Sequence, residues 1–165
     1  MSDQYAELMT TFAMFKGYTP HGASVLMERG KVRELAAGEL LFKEGDPAKS
    51  VLLVLTGRAE VFVDRNGRNL KLNDVEPSRM LGELAVLGGI NRPASARATE
   101  ATAVVEWSEN DFRRLIASDV NLSQRIFRQL IRTLAEEEEA LVASLAAVKD
   151  ATESYPPGSS PSNSR

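Results

Sequence analysis

Apolar positions change their period along this chain. Near the start, Leu8, Met9, Phe12 and Phe15 recur three or four residues apart, the spacing of one helical face. Thr19-Pro20 reads as a second helix start, Val25, Leu26 and Arg29 continue it, and Gly30 stops it. Residues 1–35 are therefore expected as helical pieces. From Lys31 to about Glu109, Gly and Pro punctuate short β-prone runs. The runs are Leu40-Leu41-Phe42, Val51 to Leu55, Ala59 to Val63 and Ala101 to Val105. Strands so closely spaced, with turn signals between them, predict a barrel or a double-sheet roll. Val61 and Val63 should share one face, with Glu60, Phe62 and Asp64 on the other. Asn66-Gly67 is a hairpin signal, because both residues tolerate positive φ.

Helical spacing returns after Ser108. Ser108 and Asp111 resemble a capping box, with Asp in place of Glu or Gln. Phe112, Leu115 and Ile116 form a stripe, and a long helix is expected from about Asn121 to Val148. On it, Phe127, Leu134, Leu141 and Val148 lie seven apart, with Ile131 and Leu145 in a companion column through Glu138. That is a short heptad seam, interrupted by Glu136 to Glu139. It fits either core packing against the roll or a homodimer interface, and the Glu run reads as a solvated face. Beyond Asp150 the chain is rich in Pro, Ser, Gly and Asn, a composition that buries too little apolar surface to order itself. The expected organisation is a helical segment at 1–30, a roll with C-terminal helices at 31–150, and a disordered tail at 151–165.

Composition narrows the chemistry. Hydrophobic residues make up 43% and charged residues 26% of the 165, as in an ordinary globular domain. Lys+Arg total 20 against Asp+Glu 23, a net charge of −3, so no basic footprint for nucleic acid stands out. Without cysteine there is no disulfide, thiolate nucleophile or Cys-ligated metal. The one histidine, His21, reads as a solvated or capping side chain. Neither G-x-S-x-G nor a recognisable triad occurs, so no catalysis and no cofactor are expected. No apolar run reaches membrane-spanning length, and the first residues lack the basic and apolar regions of a signal peptide. A cytoplasmic protein with no membrane association is the expectation.

One stretch carries specific chemistry, Leu81 to Leu87 followed by Gly88-Gly89-Ile90-Asn91 and then Arg92-Pro93-Ala94-Ser95-Ala96. Gly82 allows close approach of a backbone to a ligand. Glu83 to Leu87 forms a single helical turn whose first N–H groups lack intrahelical partners and attract an anion. Arg92 is expected to open a strand, bringing a guanidinium fork suited to phosphate oxygens. Glu83 is an acceptor for sugar hydroxyls. A phosphate beside a ribose is thus accounted for.

This stretch resembles the phosphate-binding cassette of cyclic nucleotide-binding domains, found in catabolite activator proteins, regulatory subunits of cAMP-dependent kinase and cyclic-nucleotide-gated channels. Gly82, Glu83, Leu84, Ala85, Arg92, Ala94 and Ser95 match its pattern, and Leu81 stands where Phe is usual. Leu35 to Asp46 and Val51 to Val61 resemble the family's first strands and following hairpin. The resemblance implies an α+β fold, an eight-stranded antiparallel β-roll (jelly roll) flanked by N-terminal helices and a long C-terminal helix. It implies that Glu83 binds the ribose 2′-OH near the Gly82 backbone and that Arg92 pairs with the phosphate. Leu84, Ala85, Pro93, Ala94 and Ser95 would complete the cradle, and the long helix would close over the base, with Leu134, Glu137 and Glu138 as candidate capping residues. Pro93 lacks the hydroxyl that cGMP-preferring relatives often carry after the Arg, which favours cAMP; an inward Glu137 or Glu138 would favour cGMP. Activators of the family carry a helix-turn-helix after the long helix, and the residues after Val148 are too few for one. The expectation is a stand-alone cyclic nucleotide receptor acting on a partner protein. The alternative is a scaffold or dimerisation module with an empty pocket.

Overall fold

The computed structural model of the chain describes residues 2–153. It forms two compact units, one ending at Arg125 and one beginning at Ile126.

The first unit opens with α1 (Ser2–Thr10), a 3-10 turn (Ala13–Phe15) and α2 (Pro20–Glu28). The Thr19 hydroxyl caps α2 by accepting from the Gly22 N–H at 3.1 Å, as the Thr19-Pro20 pair foretold. The expected boundary at 30/31 does not separate this segment from the strands. Trp107 Nε1 donates to the Leu26 carbonyl at 2.9 Å, and a Cβ on Gly30 would lie 2.8 Å from a Val105 methyl. Nor does helix extend to residue 35: Lys31–Leu35 is β1, paired with the strand Thr102–Ser108.

Eight antiparallel strands make two four-stranded sheets. They are β1, β2 (Leu40–Phe42), β3 (Ser50–Thr56), β4 (Ala59–Arg65), β5 (Arg68–Val75), β6 (Met80–Leu81), β7 (Ser95–Ala98) and β8 (Thr102–Ser108). One sheet runs β1-β8-β3-β6, the other β2-β7-β4-β5, so the expected roll is present. Leu35, Leu41, Leu52, Val54, Ala59, Val75, Leu81, Ala96, Ala98 and Val104 form a core between them. Val51 to Leu55 are each at most 1% exposed, which is why that strand reads as an unbroken apolar run. On β4, Ala59 and Val61 pack on this core as the alternation requires. Phe62, on the other face, is nonetheless buried, because the Arg97 guanidinium lies 4.5 Å from its ring centre and is held there by Glu60 at 2.6 Å. The β4–β5 hairpin turns on Asn66 (φ 58°) and Gly67 (φ 75°), the positive pair its sequence predicted.

Between β6 and β7 lies the short helix α3 (Glu83–Gly88), and after β8 comes α4 (Glu109–Ser118). Ser108 caps α4, accepting from the Asp111 N–H at 3.1 Å and donating to its carboxylate at 2.6 Å. Phe112 and Leu115 are buried. The last helix, α5 (Val120–Glu153), begins within the first unit. Its first turn is fastened by Asp119, which accepts from the Leu122 N–H at 2.9 Å and from the Tyr18 hydroxyl. Arg125 donates to the carbonyls of Met14 and Lys16.

The second unit is the rest of α5. It runs past Val148 and Asp150, so the first three residues of the expected tail are helical. Nothing in Ala151-Thr152-Glu153 breaks a helix, and the first Pro thereafter is Pro156. Residues 154–165, the remainder of that tail, lie outside the described residues.

Candidate functional site

Local chain geometry builds the site from Leu81 onward. The backbone leaves β6 through Gly82 in the left-handed region (φ 83°), which turns the chain from strand into α3. Ala85 and Val86 bury the inner side of α3; Leu84 is 38% exposed, and Glu83 heads the helix, half-buried. Gly89, also left-handed (φ 63°), ends it.

The chain then returns through Asn91 and Arg92, which meet the turn after β2. Pro47 bridges Asn91, the Arg92 N–H donates to the Asp46 carbonyl at 2.8 Å, and the Gly45 N–H donates to the Arg92 carbonyl at 2.8 Å. The Glu44 N–H donates to Ser95 Oγ, also at 2.8 Å. Two stretches separated in sequence, Leu35–Asp46 and the cassette, are thus stapled by three backbone-anchored hydrogen bonds. Arg92 does not open a strand as expected. Pro93 has no N–H for a ladder, and β7 starts only at Ser95.

Arg92 is the unusual residue here. It is 4% exposed, and its guanidinium lies 4.3 Å from the ring centre of Phe42. Nη2 donates to the Ser50 carbonyl at 2.6 Å and to Ser50 Oγ at 3.3 Å; Nη1 donates to the Gly82 carbonyl at 3.3 Å. None of these partners is a carboxylate. Burial pushes the guanidinium pKa down, while the charges of Glu106, Glu83 and Asp46, in that order, oppose the shift. Gly82 is tied to the same group, since a Cβ there would lie 2.0 Å from Arg92 Nη1. The sequence suggested that this glycine admits a ligand; the structure shows that it admits the arginine.

Of the residues expected at the site, Gly82 meets the Arg92 guanidinium and the charge of Glu83 acts on it, while Leu84 and Ala85 follow on α3 and Pro93, Ala94 and Ser95 follow Arg92 along the chain. Ala94 and Ser95 are buried, and Pro93 is exposed. Leu134, Glu137 and Glu138 fall in the second unit, each exposed. Sequence reasoning did not single out Ser50 or Glu106, and it placed Phe42 only in a strand. A lone serine at a strand start carries no signal until the arginine that it holds is known. Among the described residues no cluster of three or more His, Cys, Asp or Glu is arranged to hold a metal ion, and no helix is long and apolar enough to cross a membrane.

Known proteins resemble this chain in sequence and fold. The chain is 29% identical over 114 residues to the cAMP-dependent protein kinase regulatory subunit of Blastocladiella emersonii, covering 68% of this chain and 27% of that protein. It is 25% identical over 129 residues to the CRP-like cAMP-activated global transcriptional regulator of Mycobacterium tuberculosis, covering 78% of this chain and 58% of that one. The crystal structure of the Thermus thermophilus catabolite activator protein superposes with a TM-score of 0.69 at 25% identity, covering 79% of this chain and 62% of that one. The chain thus spans less than two thirds of the length of these relatives. The family model for the cyclic nucleotide-binding domain matches residues 32–119, which run from β1 through α3 and the Arg92 loop to the end of α4, and the chain belongs to that family.

Proposed function

We propose that this chain is a cyclic nucleotide receptor whose roll takes cAMP in preference to cGMP and whose occupancy regulates a partner protein. The observation that carries the reading is Arg92, a nearly buried cation whose hydrogen-bond partners are carbonyls and a hydroxyl rather than a carboxylate. A cyclic phosphate carries its charge in a form that a guanidinium fork can grip at close range, and the hydrogen bonds described for Arg92 reach no carboxylate. Glu83, at the head of α3, would accept from the ribose 2′-OH. The α3 backbone, Ala94 and Ser95 would surround the phosphate. Pro93 offers no hydroxyl to a guanine, which supports cAMP; a carboxylate from Glu137 or Glu138 is the feature that would reverse the preference.

Output would pass through α5, closing over the base with Leu134 as the apolar cap. The same helix presents a seam for a homodimer: Ile131, Leu141, Leu145 and Val148 are each more than 60% exposed, at heptad spacing. The effector is a second protein, and the receptor works without catalysis of its own, in the cytoplasm.

Ligand-induced stabilisation tests the reading. At about 100 times Kd, binding adds roughly 2.7 kcal/mol. For a domain of this size the melting temperature should rise by roughly 5 °C or more with cAMP, and by less at equal cGMP. No shift with either nucleotide at millimolar concentration would overturn binding and leave a roll kept as a scaffold. A larger response to cGMP, removed by Glu137→Ala or Glu138→Ala, would reverse the preference and identify the reading residue.

A further inference from the structure

Behind Arg92 a polar chain runs through the roll and ends on the opposite sheet. The Ser50 hydroxyl donates to Glu106 Oε1 at 2.6 Å, and Glu106 Oε2 accepts from Arg33 Nη1 at 2.9 Å. Arg33 also donates to the carbonyls of Leu41 and Leu40, each at 3.3 Å. The links come from β3, β8 and β1 of one sheet and finish on β2 of the other. Glu106 and Arg33 lie outside the cassette in sequence, and Arg33 spans from one sheet to the other.

We propose that Glu106 is a positioning residue for Arg92, acting through the hydroxyl of Ser50, with Arg33 fixing Glu106 in turn; this rests on the reading of Arg92 as the phosphate-binding group. Proton direction along the row decides what each group can do. A serine hydroxyl has one hydrogen and two acceptor lone pairs. The Glu106 carboxylate, in an ion pair with Arg33, accepts the Ser50 hydrogen and leaves the lone pairs of Ser50 to the Arg92 Nη2 donor. Arg33 only donates, so its end of the relay cannot reverse. Every proton in the row is therefore assigned by the two charged ends. Glu106 is also the foremost negative charge opposing the effect of burial on Arg92. With Nη2 spent on Ser50 and one Nη1 donor on Gly82, the guanidinium is held in one plane, and its remaining donors share one orientation before any ligand arrives.

Glu106→Gln preserves shape and inverts polarity. Arg33 captures the amide oxygen, the amide N–H turns to Ser50, and the hydroxyl hydrogen is pushed toward the donors of Arg92. The expected result is cAMP affinity weakened by about threefold to tenfold, a net loss typical of one hydrogen bond. In a Ser50→Ala background the same substitution should have a clearly smaller effect than in the parent, since the hydroxyl link is already cut and only the direct influence of the Glu106 charge on Arg92 remains. Binding is measured by calorimetry. Side-chain ¹⁵N spectra of the ligand-free protein, with Arg92 assigned by its loss in Arg92→Lys, provide a second readout that a general loss of stability does not mimic. The Arg92 Nη2 proton that faces Ser50 Oγ should shift in both Glu106→Gln and Ser50→Ala, while the one bound to the Ser50 carbonyl keeps its place. Additive affinity losses, or parent-like affinity in Glu106→Gln when Arg92→Ala loses binding, overturn the relay. If the parent binds neither cAMP nor cGMP, the receptor reading fails. The relay is then judged on the spectra alone, and unchanged Arg92 signals in the two variants overturn it.

Discussion

The cassette and the outer part of α5 depart from ordinary burial in opposite senses. In the roll a charged side chain is taken almost out of water, while Leu81, Ala85 and Val86 beside it are also buried. On α5 apolar side chains stand in water, from Phe127 at 39% exposure to Ile131 at 64%. The first region takes a guanidinium inside among the charges of Glu106, Glu83 and Asp46; the second has more apolar surface outside than its own packing uses. Charge governs what the first can meet, and apolar surface what the second can meet.

Breaking that contrast at its charged end should give the largest effect. Arg92→Ala is expected to cost roughly 2–5 kcal/mol of nucleotide binding. Arg92→Lys keeps the charge and loses the fork, so it should lie between Ala and the parent, with Glu83→Ala milder than Arg92→Ala. Calorimetry with cAMP checks the series; equal affinity in Arg92→Ala would mean that the phosphate sits elsewhere. Next in size is a pair of truncations. Leu52→Ala, in the core, should destabilise by about 2–5 kcal/mol, whereas Leu141→Ala, on the seam, should change dilute-solution stability by no more than about 0.5 kcal/mol. Urea unfolding at low and high protein concentration reads both. A large Leu141 effect that grows with concentration would show the seam already paired.

Assembly sharpens the apolar end. Sedimentation should show a dimer that strengthens with protein concentration and with salt, because screening relieves repulsion among Glu136 to Glu139. Leu134→Glu combined with Leu141→Glu should leave monomer. A parent that stays monomeric at high concentration, with and without nucleotide, removes the homodimer. The smallest effect concerns Tyr18. Burial first, and then its hydrogen bond to Asp119, push its pKa up to about 12. The same bond holds the Asp119 carboxyl below its usual value. Tyr18 therefore supports the fold fully below pH 10, and that support is lost as pH rises toward 12. Asp119 contributes above its usual 3.8, and its contribution is lost as pH falls through the lowered value. Tyrosinate absorbance should show a late-ionising phenol that disappears in Tyr18→Phe, together with a flatter alkaline stability profile.

Local rules made much of this molecule readable. Thr19, Ser108 and Asn66-Gly67 act over three or four residues, and each does in the structure what its neighbours in sequence imply. The apolar run at β3 and the alternation of Ala59 and Val61 were equally legible. Other features needed partners far along the chain. β1 is half exposed and becomes a strand by pairing with β8, more than sixty residues on. β5 carries almost no buried face, so it has no period to read and exists as the second arm of a hairpin. Within the cassette the residue types were evident, but the floor under Arg92 was not. Ser50 lies 42 positions away from Arg92 and 56 from Glu106, and only folding brings the three together.

The contact between Gly82 and Arg92 also couples the two positions in divergence or redesign. A side chain at 82 would have to displace the Arg92 guanidinium and would sit at φ 83°, a conformation that L side chains rarely adopt. Loss of the arginine removes the first obstacle and leaves the second, so glycine stays favoured at 82 even in a roll without Arg92. Libraries that randomise position 82 alone will return glycine, and paired randomisation of 82 and 92 is the route to a differently shaped pocket.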